Sequence, residues 1–229
     1  MYFEKNLENF AVILKGASVQ RLPNVSQNFD NCFMVNNFDR NIDNDNSEWS
    51  IVAPELKGKK IVHFVNRLET APLLPEHYKE LNIEHVQFTK SELDERLVYM
   101  KGYYEKCGLK CHLLPEELID YNMFFKDKYY RKPGDSDYTK KHPNTGVIAK
   151  IYAAHILKPK NLWIVGLDFY QNDYLFRRPW QTPLELQQLK MKNTDMVSHF
   201  MDIVTKNTDV NFKLVTNANV SGDINLEVM

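Results

Sequence analysis

Cysteine, net charge and long apolar runs are all scarce in this chain, and each shortage removes a class of protein. Only 3 of the 229 residues are cysteine, an odd number with no framework spacing. A disulfide-dependent scaffold is therefore excluded, and the thiols read as reduced. Cys107, Cys111 and His112 lie close together in sequence, but no fourth ligand stands at a helpful spacing, which argues against structural zinc. Lysine and arginine number 29 against 30 aspartates and glutamates, a formal net charge of -1. The basic excess that marks a nucleic-acid binder is missing. No stretch approaches the ~20 apolar residues of a membrane helix. The short run Phe10–Leu14 has no basic region before it and no small-residue cleavage site after it, so it reads as a strand rather than a secretory leader. These absences point to a cytoplasmic protein with no transmembrane segment, with peripheral attachment at the inner face of a membrane left open.

What is present is the balance of a globular chain: 43% hydrophobic and 26% charged residues, enough apolar surface for a sizeable core. With no repeat or low-complexity segment, the expectation is one domain over 1–229. Apolar runs of strand length recur at Phe10–Leu14, Cys32–Val35, Ile61–Val65, Leu162–Val165 and Phe212–Val215. Most are continuously apolar, as parallel strands covered on both faces are. Helical patterns stand between them. Ser91–Cys107 has Ser91 as a candidate N-cap. Thr145–Leu157 stops before Pro159, and Thr194–Thr205 carries Met196, Val197, Phe200, Met201 and Val204 on one stripe. The alternation predicts an α/β fold with a mostly parallel, Rossmann-like sheet flanked by helices. Residues 125–141 read as a loop.

In an open parallel sheet, ligands bind beyond the carboxyl ends of the strands. Those ends carry Lys15-Gly16-Ala17-Ser18, Asn36-Asn37, Asn66 and Asp168-Phe169-Tyr170-Gln171-Asn172. Small and amide-bearing residues there suit hydrogen bonding to a polar ligand; they also simply turn a chain after a strand.

One segment is more specific. Lys140-Lys-His-Pro-Asn-Thr-Gly-Val-Ile-Ala149 opens a helix, and a strand follows that ends Gly166-Leu-Asp-Phe-Tyr-Gln-Asn172. This pattern resembles the bacterial lipooligosaccharide sialyltransferases of glycosyltransferase family forty-two, and Pro143-Asn-Thr-Gly146 is similar to the small sialylmotif of the animal enzymes. Lys15-Gly-Ala-Ser-Val19, Arg21-Leu-Pro-Asn24, Asn36-Asn-Phe38, Gly58-Lys-Lys60 with Asn66, and Lys192-Asn-Thr-Asp195 follow in the family's order, so the likeness spans about residues 10 to 216.

The resemblance implies a GT-A-like variant of the Rossmann-like fold and an inverting transferase. It would move sialic acid from CMP-sialic acid to a galactoside or sialoside acceptor, an oligosaccharide, without metal or other cofactor. By the same likeness, Gly16 and Ser18 approach the nucleotide, and Asn36 and Asn66 bind the phosphate or donor-sugar region. Asn144, Thr145 and Gly146 meet the donor carboxylate, Tyr170 and Tyr174 hydrogen bond the leaving phosphate, and Asp168 belongs to the substrate-binding set. A homo-oligomer is implied as well. The residue types fit the chemistry. A helix start with free N–H groups and a threonine hydroxyl cradles a carboxylate, and tyrosine hydroxyls stabilise a phosphate that gains charge in the transition state.

Three departures stand out. Lys190 occupies the family's general-base histidine position. A lysine serves as base only if its pKa drops by ~3 units; otherwise it clamps phosphate or lies on the surface. His142, beside the carboxylate motif, is the alternative histidine, whereas His199 reads as solvated between Asp195 and Asp202. Lys15, counted with the substrate-binding set, stands where the family has asparagine, and its charge either helps bind phosphate or excludes the expected geometry. Residues 176–190, with Arg177, Arg178 and Trp180, replace a longer lid. Asp135-Ser136-Asp137 follows Pro133-Gly134 and reads as a turn rather than a metal motif. Two alternatives stay open: transfer of another CMP-activated nonulosonic acid such as Kdo, and a catalytically silent CMP-sugar or glycan-binding module.

Overall fold

The structure, a computed structural model, describes residues 2–36, 38, 48–65, 73–118, 145–169, 171 and 193–229. Its strands are β1 (Asn9–Ile13), β2 (Asn31–Val35), β3 (Lys60–Val65), β4 (His85–Phe88), β5 (Lys110–His112), β6 (Asn161–Val165), β7 (Asn211–Val215) and β8 (Leu226–Val228). They form one sheet in the order β5-β4-β3-β2-β1-β6-β7-β8, and every neighbouring pair is parallel. The chain thus builds outward from β1 on one side, then crosses back to build outward on the other. The α/β, Rossmann-like expectation holds.

The continuous apolar strands have the reason anticipated from sequence. Phe10 and Val12 of β1 join Phe33, Val62 and Phe64 on one face, while Ala11 and Ile13 join Cys32, Met34 and Ile61 on the other. Both sets are buried, so neither face of the sheet tolerates the alternation of a half-solvated strand. The second face is covered by a 3-10 segment, Ala17–Asn24, and by α1 (Glu48–Leu56), α2 (Pro75–Glu80) and α3 (Glu95–Lys106), through Val19, Leu22, Val52, Leu56, Tyr78, Leu97, Met100 and Tyr104. Asp94, not Ser91, caps α3: its Oδ1 accepts from the Leu97 N–H at 2.8 Å. Aspartate accepts there as well as serine does, and Ser91 lies one turn too early.

The first face is covered by α4 (Thr145–Ile151) and α5 (Asn193–Lys206). From α4 the chain continues as a wider π-helical turn, Tyr152–Leu157. The Lys158 N–H donates to the Ala153 carbonyl at 3.0 Å. Lys158 itself takes the left-handed conformation, with φ of 47°, before Pro159 ends the helix. On α5, His199 is buried at 1% exposure, which corrects its reading as a solvated residue. It shares a stripe with Met196, Phe200 and Ile203 at spacings of three and four residues, and that stripe faces the sheet. Lys150 brings an amine into the same interior. It is 2% exposed, and its Nζ lies 5.5 Å from the centre of the Phe200 ring.

Candidate functional site

An open sheet that builds outward from β1 in two directions has its switch point between β1 and β6, and sheets of this kind bind ligands at the carboxyl edge beside that point. Lys15, Gly16 and Ser18 follow β1, Asn36 follows β2, and Asp168 follows β6. Thr145 and Gly146 begin α4, which leads through its π turn into the start of β6. Thirteen helical residues rise about 20 Å, the span of a strand and its flanks, so a helix ending at the amino edge of β6 begins near the carboxyl edge. The fold therefore gathers Lys15, Gly16, Ser18, Asn36, Thr145, Gly146 and Asp168 on one edge. Asn66, His142, Asn144, Tyr170, Tyr174 and Lys190 lie outside the described residues, as do Asp135-Ser136-Asp137 and the segments 125–141 and 176–190.

Close approach of two strand ends dictates the glycines. The Gly16 N–H donates to the Gly166 carbonyl at 2.8 Å, and the Leu14 N–H to Val165 at 2.7 Å. A Cβ on Gly16 would stand 2.6 Å from the Gly166 oxygen and 2.7 Å from Asp168 Oδ2. One on Gly166, whose φ is +82°, would stand 2.2 Å from the Leu14 oxygen. Both glycines are thus required by the junction itself.

Asp168 ties the junction together. Its Oδ2 accepts from the Ser18 N–H at 2.7 Å. Its Oδ1 accepts from the Asn217 N–H at 2.9 Å and from Thr216 Oγ1, at 3.1 Å. Thr216 Oγ1 also lies 2.6 Å from the Leu167 carbonyl. A hydroxyl has one hydrogen, so these two contacts share it. The carboxylate is 4% exposed and joins the loops after β1, β6 and β7. Its contacts within the protein account for its position and hold the edge in shape. Arg21, in the 3-10 segment, donates from Nη1 to the carbonyls of Thr216 at 3.0 Å and Met229 at 2.9 Å.

At the end of β2, Asn36 adopts φ of 59°, a left-handed conformation that asparagine tolerates. Its N–H donates to the Phe64 carbonyl at 2.9 Å. Its carbonyl faces His63 Nε2 at 3.0 Å, while His63 Nδ1 faces the Tyr78 hydroxyl at 3.0 Å. A carbonyl only accepts, so Nε2 carries the hydrogen and Tyr78 donates to Nδ1. Burial lowers the His63 pKa to about 4, opposed by the Asn36 hydrogen bond, and the ring is neutral at physiological pH.

Lys15 and Glu48 pair at 3.8 Å, with side chains 9% and 0% exposed. The charge that Lys15 adds to this edge is thus matched by a buried carboxylate from α1. Ser18 Oγ and Thr145 Oγ1 are different: both are buried, and neither has a hydrogen-bond partner among the described residues. A buried hydroxyl left unsatisfied costs about 1–3 kcal/mol.

Sequence reading missed Glu48, Gly166, Thr216 and Arg21 as builders of this edge. Gly166, directly after an apolar run, carried a signal for a strained turn; Thr216 and Glu48 carried none. Among the described residues, no three His, Cys, Asp or Glu side chains gather into a group that could hold a metal ion. All three cysteines are free thiols, and burial pushes Cys32 up to about 12. No helix among the described residues is long and apolar enough to cross a membrane.

No protein-family profile and no curated protein matches the chain. Among solved structures, the apo-structure of D-lactate dehydrogenase from Escherichia coli is similar at 10% identity, over 91% of this chain and 83% of that one, with a TM-score of 0.22. A superposition that loose carries no argument about activity.

Proposed function

We propose that this chain is an inverting glycosyltransferase that moves sialic acid from CMP-sialic acid to a galactoside or sialoside acceptor without a metal. The observation that carries the reading is the pair of buried, unpartnered hydroxyls, Ser18 Oγ and Thr145 Oγ1, on an edge where this topology binds ligands. Both belong to motifs on which the sialyltransferase resemblance rests. Both are shielded from solvent in this structure, so acceptor oxygens of a nucleotide and of a sugar carboxylate would satisfy them once the chain around them moves aside.

In this reading Gly16 and Ser18 line the nucleotide side, and Thr145 with the first N–H groups of α4 meets the donor carboxylate. Asn36, with Asn66, serves the phosphate or donor-sugar region. Asp168 contributes by holding the loops that carry these groups. Tyr170 and Tyr174 stabilise the departing phosphate, and Lys190 or His142 takes the proton of the acceptor hydroxyl. The acceptor oxygen attacks the anomeric carbon as its bond to the CMP phosphate oxygen breaks, and CMP leaves with the electron pair.

The test is CMP release from CMP-N-acetylneuraminic acid in EDTA, with and without lactose. Release stimulated by lactose is the expected result. Hydrolysis or transfer of CMP-Kdo instead would move the assignment to another nonulosonic acid. Tight CMP binding with no turnover of either donor would overturn transfer in favour of a silent binding module.

A further inference from the structure

Far from the switch point, at the β4–β5 edge, two imidazoles face each other. His85 Nδ1 and His112 Nε2 are 3.0 Å apart, with ring centres at 5.1 Å and planes inclined by 45°. His112 is in register with Gln87, two residues after His85, so the histidines are diagonal neighbours on one face of the sheet. Both rings are half-buried. We propose that this pair is a binding site for a divalent transition-metal ion of the imidazole-preferring kind, Cu²⁺, Ni²⁺ or Zn²⁺, with water completing the coordination. The proposal is independent of the transferase reading.

The geometry carries it. Two nitrogens at about 2.0–2.1 Å from one ion, subtending about 90–109°, stand about 2.8–3.4 Å apart. The observed separation falls inside that interval, so the ion enters once each ring pivots to turn its lone pair from the facing nitrogen to the ion. The rings are also held in place. The Tyr2 ring packs edge-on against His112 at 4.9 Å and tilted against His85 at 5.7 Å. The Tyr2 hydroxyl donates to Gln87 Oε1 at 2.6 Å, and Gln87 Nε2 donates to the carbonyls of Phe88 at 2.8 Å and His112 at 3.3 Å. Tyr2 thus packs against both imidazoles, and Gln87 ties β4 to β5 beside them.

Burial lowers both histidines below their ordinary pKa, aided at His85 by Lys110 and at His112 by His85. Neutral rings are the form that binds metal. In the metal-free pair one facing nitrogen carries the hydrogen of the N–H···N bond. On binding, that ring shifts its hydrogen to its far nitrogen, so each ring keeps one N–H and no net proton is released. Lys60 and Lys110 raise the local potential around His85, with Glu84 opposing them. That potential opposes every divalent cation alike, so the choice of ion rests on the donors: imidazole nitrogens suit ions that bond strongly to imidazole and not hard ions that need carboxylates. A bound ion would fasten the edge strand β5 to β4.

The experiment titrates untagged full-length protein at pH 7.5 with Zn²⁺, Cu²⁺ or Mg²⁺ salts, reading heat of binding, Tm and histidine ring resonances. Expected are one equivalent of Zn²⁺ or Cu²⁺, none of Mg²⁺, and ring shifts centred on His85 and His112 among the 7 histidines. At a hundredfold excess over Kd, Tm should rise by roughly 5–10 °C. His85→Gln and His112→Gln should each weaken binding at least tenfold. Equal affinity in wild type and both variants would overturn the proposal. So would unshifted His85 and His112 resonances at saturating Zn²⁺, a readout on the unaltered chain that does not depend on a variant folding.

Discussion

Replacing Lys150 by methionine should stabilise this protein, and by an amount that depends on pH. The amine is buried beside the Phe200 ring, and burial lowers its pKa from 10.5 to about 7. In the unfolded chain the same amine keeps its proton up to 10.5. Between these values unfolding takes up a proton, so stability rises with pH through the window from about 7 to 10.5. Below it both states are protonated, and the cost of the buried amine is constant. At about 1.4 kcal/mol per pKa unit, that cost is about 5 kcal/mol at acid pH, about 4 at pH 7 and about 1.5 at pH 9.5. Methionine fills a similar volume and carries no charge. Urea unfolding of wild type and Lys150→Met at pH 7 and pH 9.5 isolates the effect, because other titrating groups cancel in the difference. The variant should be more stable at both, with a gap that narrows by about 2–3 kcal/mol at the higher pH. A gap that stays constant would refute the reasoning, since the amine would then not be discharged by burial.

Three further outcomes follow from the strand ends. Gly166→Ala forces a Cβ to within 2.2 Å of the Leu14 oxygen at a φ of +82°, and should cost more than about 2 kcal/mol in urea unfolding. Asp168→Asn puts an amide N–H against donors on one side of the carboxylate, so a loss of about 2–3 kcal/mol is expected, with the Ser18 or Asn217 amide exchanging faster with solvent. His63 is neutral in the fold, with a pKa near 4, so its contribution is full above about pH 6.5 and declines as pH falls toward 4. Between pH 7 and pH 5 the wild type should lose about 2 kcal/mol more than His63→Gln, whose amide can serve both Asn36 and Tyr78.

The sheet was legible where strands are continuously apolar. β1, β2, β3, β6 and β7 sit within one residue or two of their apolar runs, because strands sandwiched between helices cannot hide their composition. The edge strands β5 and β8 escaped notice, and so did β4 beside β5. β4 reads His-Val-Gln-Phe, β5 is Lys-Cys-His and β8 is Leu-Glu-Val. Such short runs, partly exposed at the sheet's margins, have no pattern to detect without their neighbours. His199 shows the reverse difficulty, since a polar residue flanked by aspartates looked solvated until its stripe met the sheet. At the candidate site, Gly16, Ser18, Asn36, Thr145, Gly146 and Asp168 were all visible as strand-end or helix-start residues. What the sequence could not convey is which of them face a ligand and which face each other. Asp168 and Gly16 are accounted for by contacts that bridge distant segments, and no local spacing encodes those.

Because one carboxylate gathers the loops that follow β1, β6 and β7, those loops form a single mechanical unit. A change in one would be felt in the other two, so substitutions at Asp168 and Thr216, whose side chains bond each other, should combine non-additively, and sequence drift in any one loop is constrained by the others. Variation in this protein's specificity is therefore expected to enter elsewhere on the carboxyl edge, through segments that Asp168 does not hold.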